Sequence, residues 1–203
     1  MKFNDKKFEV DDGVYPPAED TYLLLDAIEL ERADSFLEVG CGTGLISVAA
    51  AEIAKSVIAI DLALNAVRNA RRNMEINSVD RRSCVIQSDL LSALGHDARF
   101  NVIAFNPPYL PDDDIVTEMN HAFVGGGVGV ELTERFILQA IPHLERNGRI
   151  YIVVSSLADI KRVSNFMKSH GLQVNDKAET KLFFETLRVL EGIVLEGHTD
   201  TFL

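Results

Sequence analysis

Five apolar runs, SFLEVG (35–40), SVIAID (56–61), SCVIQSD (83–89), FNVIAFN (100–106) and RIYIVVSS (149–156), are separated by stretches whose apolar residues recur at helical spacing. Those stretches predict helices near 44–54, 63–77, 131–144 and 157–169. Short apolar runs that alternate with helices are the mark of strands buried in a parallel sheet. The end of the chain differs. LQVNDKAETKLFF (172–184) and ETLRVLEGIVLE (185–196) follow each other with no room for a helix, which predicts an antiparallel hairpin. Five runs and two hairpin strands make an α/β fold with a mostly parallel seven-stranded sheet and helices on both faces. At the front, VYPPAEDTYLLLDAIEL (14–30) predicts a helix entered through prolines, with acids in its first turn. The longest predicted loop, 107–130, ends in VGGGVGVE, and a loop of that length is usually functional or mobile. No repeat or linker interrupts the pattern, so residues 1–203 read as one domain, with 1–33 as an N-terminal helical segment.

Composition narrows the possibilities. Apolar residues make up 47% and charged residues 25%, as in a water-soluble globular chain, and no run approaches the length of a membrane span. The opening MKFNDKKFEVDD has no apolar core of a signal peptide, which makes the cytoplasm the expected compartment. Cys41 and Cys84 and the five scattered histidines show no metal-ligand spacing, so neither a disulfide scaffold nor a zinc site is expected. The net charge of −11 argues against a polyanionic partner. The one basic cluster, Arg68, Arg71 and Arg72, reads as a solvated helix face.

Candidate chemistry begins after the first strand. In EVGCGTG (38–44), glycines at 40, 42 and 44 allow a sharp turn and a close approach of backbone to ligand. A dinucleotide fingerprint would need glycine at 45, where the chain has Leu45. The G-x-G-x-G form after an acid resembles motif I of the class I S-adenosylmethionine methyltransferases, a Rossmann-like fold. That donor carries no phosphate, but it has a ribose diol, an adenine amine and an amino-acid end. Asp61 ends the second run, where its carboxylate can accept from both ribose hydroxyls; Asp89 ends the third, where it can accept from the adenine amine. Leu62 and Leu90 follow these acids and can wall the base.

The fourth run ends in FNPPYL (105–110). Proline fixes φ, biases Asn106 toward an extended backbone and donates no hydrogen bond, so the turn offers acceptors only. The Asn106 side-chain oxygen and a main-chain carbonyl suit a planar NH₂ group, with Tyr109 placed to stack on its flat face. Asn106, Pro107 and Tyr109 are therefore the candidate catalytic group, and Asn106, Pro107, Pro108 and Tyr109 the candidate substrate contacts. A delocalised nitrogen held in this way is aligned for attack on a methyl group, mainly through proximity.

Together these motifs resemble the HemK-like protein-glutamine N5-methyltransferases, in their compact archaeal and eukaryotic branch. Y-x-P-x-E-D-T is matched by Tyr15, Pro17, Glu19, Asp20 and Thr21, and ETLRVL (185–190) is also similar. The resemblance implies that Thr21, Glu38, Gly40, Gly42, Gly44, Asp61, Leu62, Asp89, Leu90 and Asn106 surround S-adenosylmethionine, which leaves as S-adenosylhomocysteine, with the 1–33 segment packed on that cofactor site. It implies a substrate, the Gln of a GGQ motif in a class-1 translation release factor, and a small zinc-binding activator, for which the 83–89 run is a candidate seat. One departure is AFVGGGVG, where Phe123 stands for the family's aromatic before the loop glycines. Rival expectations are an N6-adenine or N2-guanine nucleic-acid methyltransferase, a protein-lysine methyltransferase and a non-catalytic module of the same fold.

Overall fold

The computed structural model describes residues 2–3, 5–108 and 130–194. Tyr109, Phe123 and nearly all of the predicted 107–130 loop lie outside the described residues. A short antiparallel pair, β1 (Lys2–Phe3) and β2 (Lys6–Lys7), precedes helix α1 (Glu19–Ala27). Then follow β3 (Ser35–Val39), α2 (Leu45–Ala50), β4 (Ser56–Asp61), α3 (Leu64–Ile76), β5 (Ser83–Gln87) and β6 (Phe100–Phe105). The second half holds α4 (Val130–Ala140), β7 (Leu144–Ser155), α5 (Ile160–Ser169), β8 (Leu172–Lys181) and β9 (Thr186–Val194).

The seven long strands form one sheet in the order β5-β4-β3-β6-β7-β9-β8. The first five are mutually parallel, and β9 runs antiparallel to both β7 and β8. This is the predicted mostly parallel sheet with its terminal hairpin. Alternate residues of each strand feed two cores. Phe36 faces Leu24 of α1, Ile46 of α2 and Met74 of α3; Leu37 faces Phe136 of α4 and Met167 of α5. All of these are nearly inaccessible to water, and burying each stabilises the fold by about 2 kcal/mol before entropy is counted.

Some boundaries depart from the expected ones. Helix α4 stops at Ala140 rather than 144 because Pro142, in a 3₁₀ turn at Ile141–His143, cannot continue it. Strand β7 starts at Leu144, earlier than 149: its pairing with β6 jumps from Phe100–Leu144 to Val102–Arg149 across a bulge. Helix α5 starts at Ile160 because the Asp159 carboxylate accepts the Arg162 N–H at 2.9 Å and caps it. The front helix begins only at Glu19, after Pro16 and Pro17.

Sequence order along the sheet reverses between β3 and β6. The carboxyl ends of these two strands therefore frame a crevice, the usual ligand position in an open α/β sheet.

Candidate active site

The turn after β3 brings backbone close to backbone. Gly40 has φ 68°, and a Cβ there would lie 3.3 Å from the Phe105 ring and 3.7 Å from the Asn106 carbonyl. Gly44, φ 75°, begins α2 so close to α3 that a Cβ would meet Ala70 Cβ at 2.9 Å. Any side chain at either position would push the turn away from the crevice.

Two carboxylates flank this turn. Glu38, 4% exposed, accepts the Ser47 backbone N–H at 2.8 Å and the Ser47 hydroxyl, both on Oε2, which leaves Oε1 open to a ligand. Burial pushes its pKa from 4.5 up to about 8; the two Ser47 bonds pull against this, and the nearby Asp61 charge adds to it. Asp61 ends β4. Its Oδ2 accepts the Gly42 N–H and its Oδ1 the Ala63 N–H, each at 2.9 Å. Burial raises its pKa as well, with the Gly42 and Ala63 amides lowering it. Cys41 lies between these acids, and burial and their charges push its thiol well above its ordinary pKa.

Asn106 follows β6, whose last residue Phe105 packs on Phe136 with ring centroids 4.5 Å apart. Among the described residues the Asn106 side-chain oxygen is buried and has no hydrogen-bond partner. Leaving such an acceptor unpaired costs about 1–3 kcal/mol, which a donor supplied by a ligand would recover. Pro107 and Pro108 beside it offer no N–H.

The N-terminal segment closes another side. Asp20, 4% exposed, accepts the Tyr15 hydroxyl at 3.0 Å, the Thr21 N–H at 2.6 Å and the Thr21 hydroxyl at 3.2 Å. Burial, then the Asp20 charge, raises the Tyr15 pKa, so its hydroxyl stays protonated and donating.

These groups surround one cavity of about 360 Å³. Of the residues expected from the sequence, Thr21, Glu38, Gly40, Gly42, Asp61, Asn106, Pro107 and Pro108 line it. Gly44, Leu62, Asp89 and Leu90 do not. Gly44 is packed under α3, and Leu62 is 67% exposed. Asp89 pairs with Arg135 at 3.0 Å, while Leu90 is buried in the core facing α4 and α5. Tyr109 is outside the described residues. The lining also includes Tyr15, Asp20, Cys41 and Phe105, to which the sequence reading gave no role. Tyr15 and Asp20 were visible in the Y-x-P-x-E-D-T match; nothing flagged Cys41, an unspecified position of the glycine turn.

The chain is similar to known proteins. The family model described as Methyltransferase small domain matches residues 10–184. A relative from Methanocaldococcus jannaschii, named as a putative protein N5-glutamine methyltransferase, is 38% identical over 190 residues, covering 92% of this chain and 94% of its own. A release factor glutamine methyltransferase of Rhodopirellula baltica is 30% identical over 177 residues, 77% of this chain, which spans 59% of that protein's length. Among solved structures, the Mtq2–Trm112 complex of E. cuniculi, described as methylating the termination factor eRF1, aligns with TM-score 0.68 and 26% identity. That alignment covers 90% of this chain and 99% of the other.

Proposed function

Because the chain belongs to the methyltransferase small domain family, we propose that it methylates the amide nitrogen of a protein glutamine, the Gln of a GGQ motif in a class-1 translation release factor. The observation that carries this reading is the Asn106 oxygen at the cavity wall, buried and without a hydrogen-bond partner among the described residues. It is an acceptor waiting for an N–H, next to a turn whose prolines donate nothing.

The residues fit S-adenosylmethionine as donor. When bound, it supplies a methyl group on a positively charged sulfur. Each Asp61 oxygen already takes one backbone N–H and keeps lone-pair capacity for a ribose hydroxyl. Glu38 Oε1 would receive the ammonium of the amino-acid end, and Thr21, Gly40 and Gly42, which line the cavity with it, would complete that wall. At the adenine end, Leu90, buried in the core facing α4 and α5, takes no part; the exposed Leu62 would flank the base, and Asp89 would exchange Arg135 for the adenine amine. Both partners of that pair are half exposed, so the exchange costs under about 1 kcal/mol.

On the substrate side, Asn106 Oδ1 and the Pro107 carbonyl accept the two N–H groups of the glutamine amide; the stacking expected of Tyr109 falls outside the described residues. Drawing on both hydrogens concentrates electron density on nitrogen and aims it at the methyl. With the donor bound, the carbon–nitrogen bond would form as the carbon–sulfur bond breaks. The nitrogen's proton would pass to water, with S-adenosylhomocysteine as the leaving group. A release-factor substrate fits a cytoplasmic location. The partner is a small zinc-binding protein seated on the β5 edge, in line with the two-protein assembly of E. cuniculi.

The test is mass spectrometry of a class-1 release factor after incubation with S-adenosylmethionine and this enzyme, with and without the small partner. One added methyl on the GGQ glutamine is expected. Methyl found on lysine, or in RNA or DNA, with none on that glutamine, would replace this reading by one of its rivals. No transfer to any acceptor would favour a non-catalytic module.

A further inference from the structure

Helix α3 carries asparagine at 65, 69 and 73, and Asn77 follows at its carboxyl end, a four-residue spacing that places all four on one face. Asn69 and Asn73 are fully buried, which is costly for a side-chain amide unless its donors and acceptor are paired. They pair with the backbone of the extended segment before α1. Asn77 accepts the Lys7 N–H at 3.1 Å and donates to the Lys7 carbonyl at 2.8 Å. Asn73 accepts the Glu9 N–H at 2.9 Å and donates to the Glu9 carbonyl at 2.8 Å. Asn69 accepts the Asp11 N–H at 3.0 Å and donates to the Glu9 carbonyl at 2.9 Å. Asn65 donates to the Gly13 carbonyl at 3.1 Å.

The match is metric. Four helical residues rise ~6.0 Å and two extended residues span ~6.6 Å, so Asn77, Asn73 and Asn69 meet every second residue from Lys7 to Asp11. Asn65 meets Gly13 in the turn closed by the Val14 N–H on the Asp11 carbonyl. The side chains stand in for a neighbouring strand. The segment they hold leads directly into Gly13, Val14 and Tyr15, which line the cavity. Asn73 also donates to the Thr43 carbonyl at 2.9 Å, tying the segment to the glycine turn. The exposed Arg72–Asp11 pair, 2.7 Å, adds little by comparison.

We infer that Asn65, Asn69 and Asn73 are positioning residues for the cofactor cavity: they hold residues 9–13 against α3 so that Gly13, Val14 and Tyr15 stand as its outer wall. This rests on the reading that the cavity takes S-adenosylmethionine. None of the three asparagines lines the cavity, so each acts through the segment it grips.

The ladder contains its own control. Asn77 makes the same kind of bonds at the end farthest along the segment from Gly13, so its loss weakens the strap without moving the wall. In Asn65→Ala and Asn69→Ala, the Kd for S-adenosylhomocysteine by calorimetry and the KM for S-adenosylmethionine rise about five- to tenfold, with kcat within about twofold. Amide hydrogen exchange at residues 9–15 speeds up in both. Asn77→Ala lowers the unfolding temperature and leaves Kd and KM unchanged. Asn65 is exposed, so its variant carries the test should Asn69→Ala fail to fold. An unchanged Kd in folded Asn65→Ala, or an equal loss in Asn77→Ala, overturns the inference alone. Wild-type protein that binds neither S-adenosyl compound overturns the cofactor reading with it.

Discussion

At Glu38, burial and a neighbouring carboxylate hold a proton that an exposed glutamate would release near pH 4.5. Its pKa is pushed up to about 8, so below that pH the ligand-free site is mainly neutral at this position. A ligand whose ammonium seats there favours the ionised form and must expel the proton. The sign follows: affinity for S-adenosylmethionine falls as pH drops below about 8, by up to about tenfold per unit. Calorimetry between about pH 6 and 9 checks this, and Glu38→Gln, which keeps the shape but cannot ionise, flattens the dependence. A flat wild-type profile, or an unchanged slope in Glu38→Gln, contradicts the role given to Glu38. The acid was legible in the sequence as part of E-x-G-x-G-x-G. Its proton was not, because that depends on burial by parts of the chain distant in sequence and on Asp61 at the end of the neighbouring strand.

Among the elements, those built on strong periodicity were readable, and those decided by long-range pairing were not. The β3, β4 and β6 runs stood out because each strand is buried on both faces and must be apolar throughout. The asparagine stripe of α3 was not singled out, since nothing local says that residues 7–13 will lie along it. The two sheet edges differ in a way that bears on partners. β8 carries Asp176, Lys177, Glu179 and Lys181 and a bulge at Asp176/Ala178, devices that discourage further pairing. β5 reads SCVIQ, uncharged, and among the described residues pairs only with β4. An added strand therefore suits β5. Hydrogen exchange of the enzyme with its small partner should protect amides within 83–87 and leave 172–181 unchanged; protection confined to β8 would move the seat to the other edge.

On the scale of the molecule, one topological reversal organises the chemistry. Where β3 and β6 lie side by side, the glycine turn, Asp61 from β4 and the Asn106-Pro107-Pro108 turn converge from distant parts of the sequence. That convergence was readable in outline, because each motif follows its own strand and strand ends share one edge of a parallel sheet. The parts played by Tyr15 and Asp20 in the wall were not, since the Y-x-P-x-E-D-T match gave a cofactor contact to Thr21 alone. Loss of Asp61 should weaken the donor site, whereas loss of the Asn106 side chain should spare it and disable the acceptor. Methyl transfer to the GGQ glutamine by Asn106→Ala, with S-adenosylmethionine affinity determined on the same protein, separates the two sites in one experiment. Transfer should drop by at least about 100-fold while affinity stays within about tenfold. Near-normal transfer by that variant would mean that the Asn106 oxygen does not hold the reacting amide.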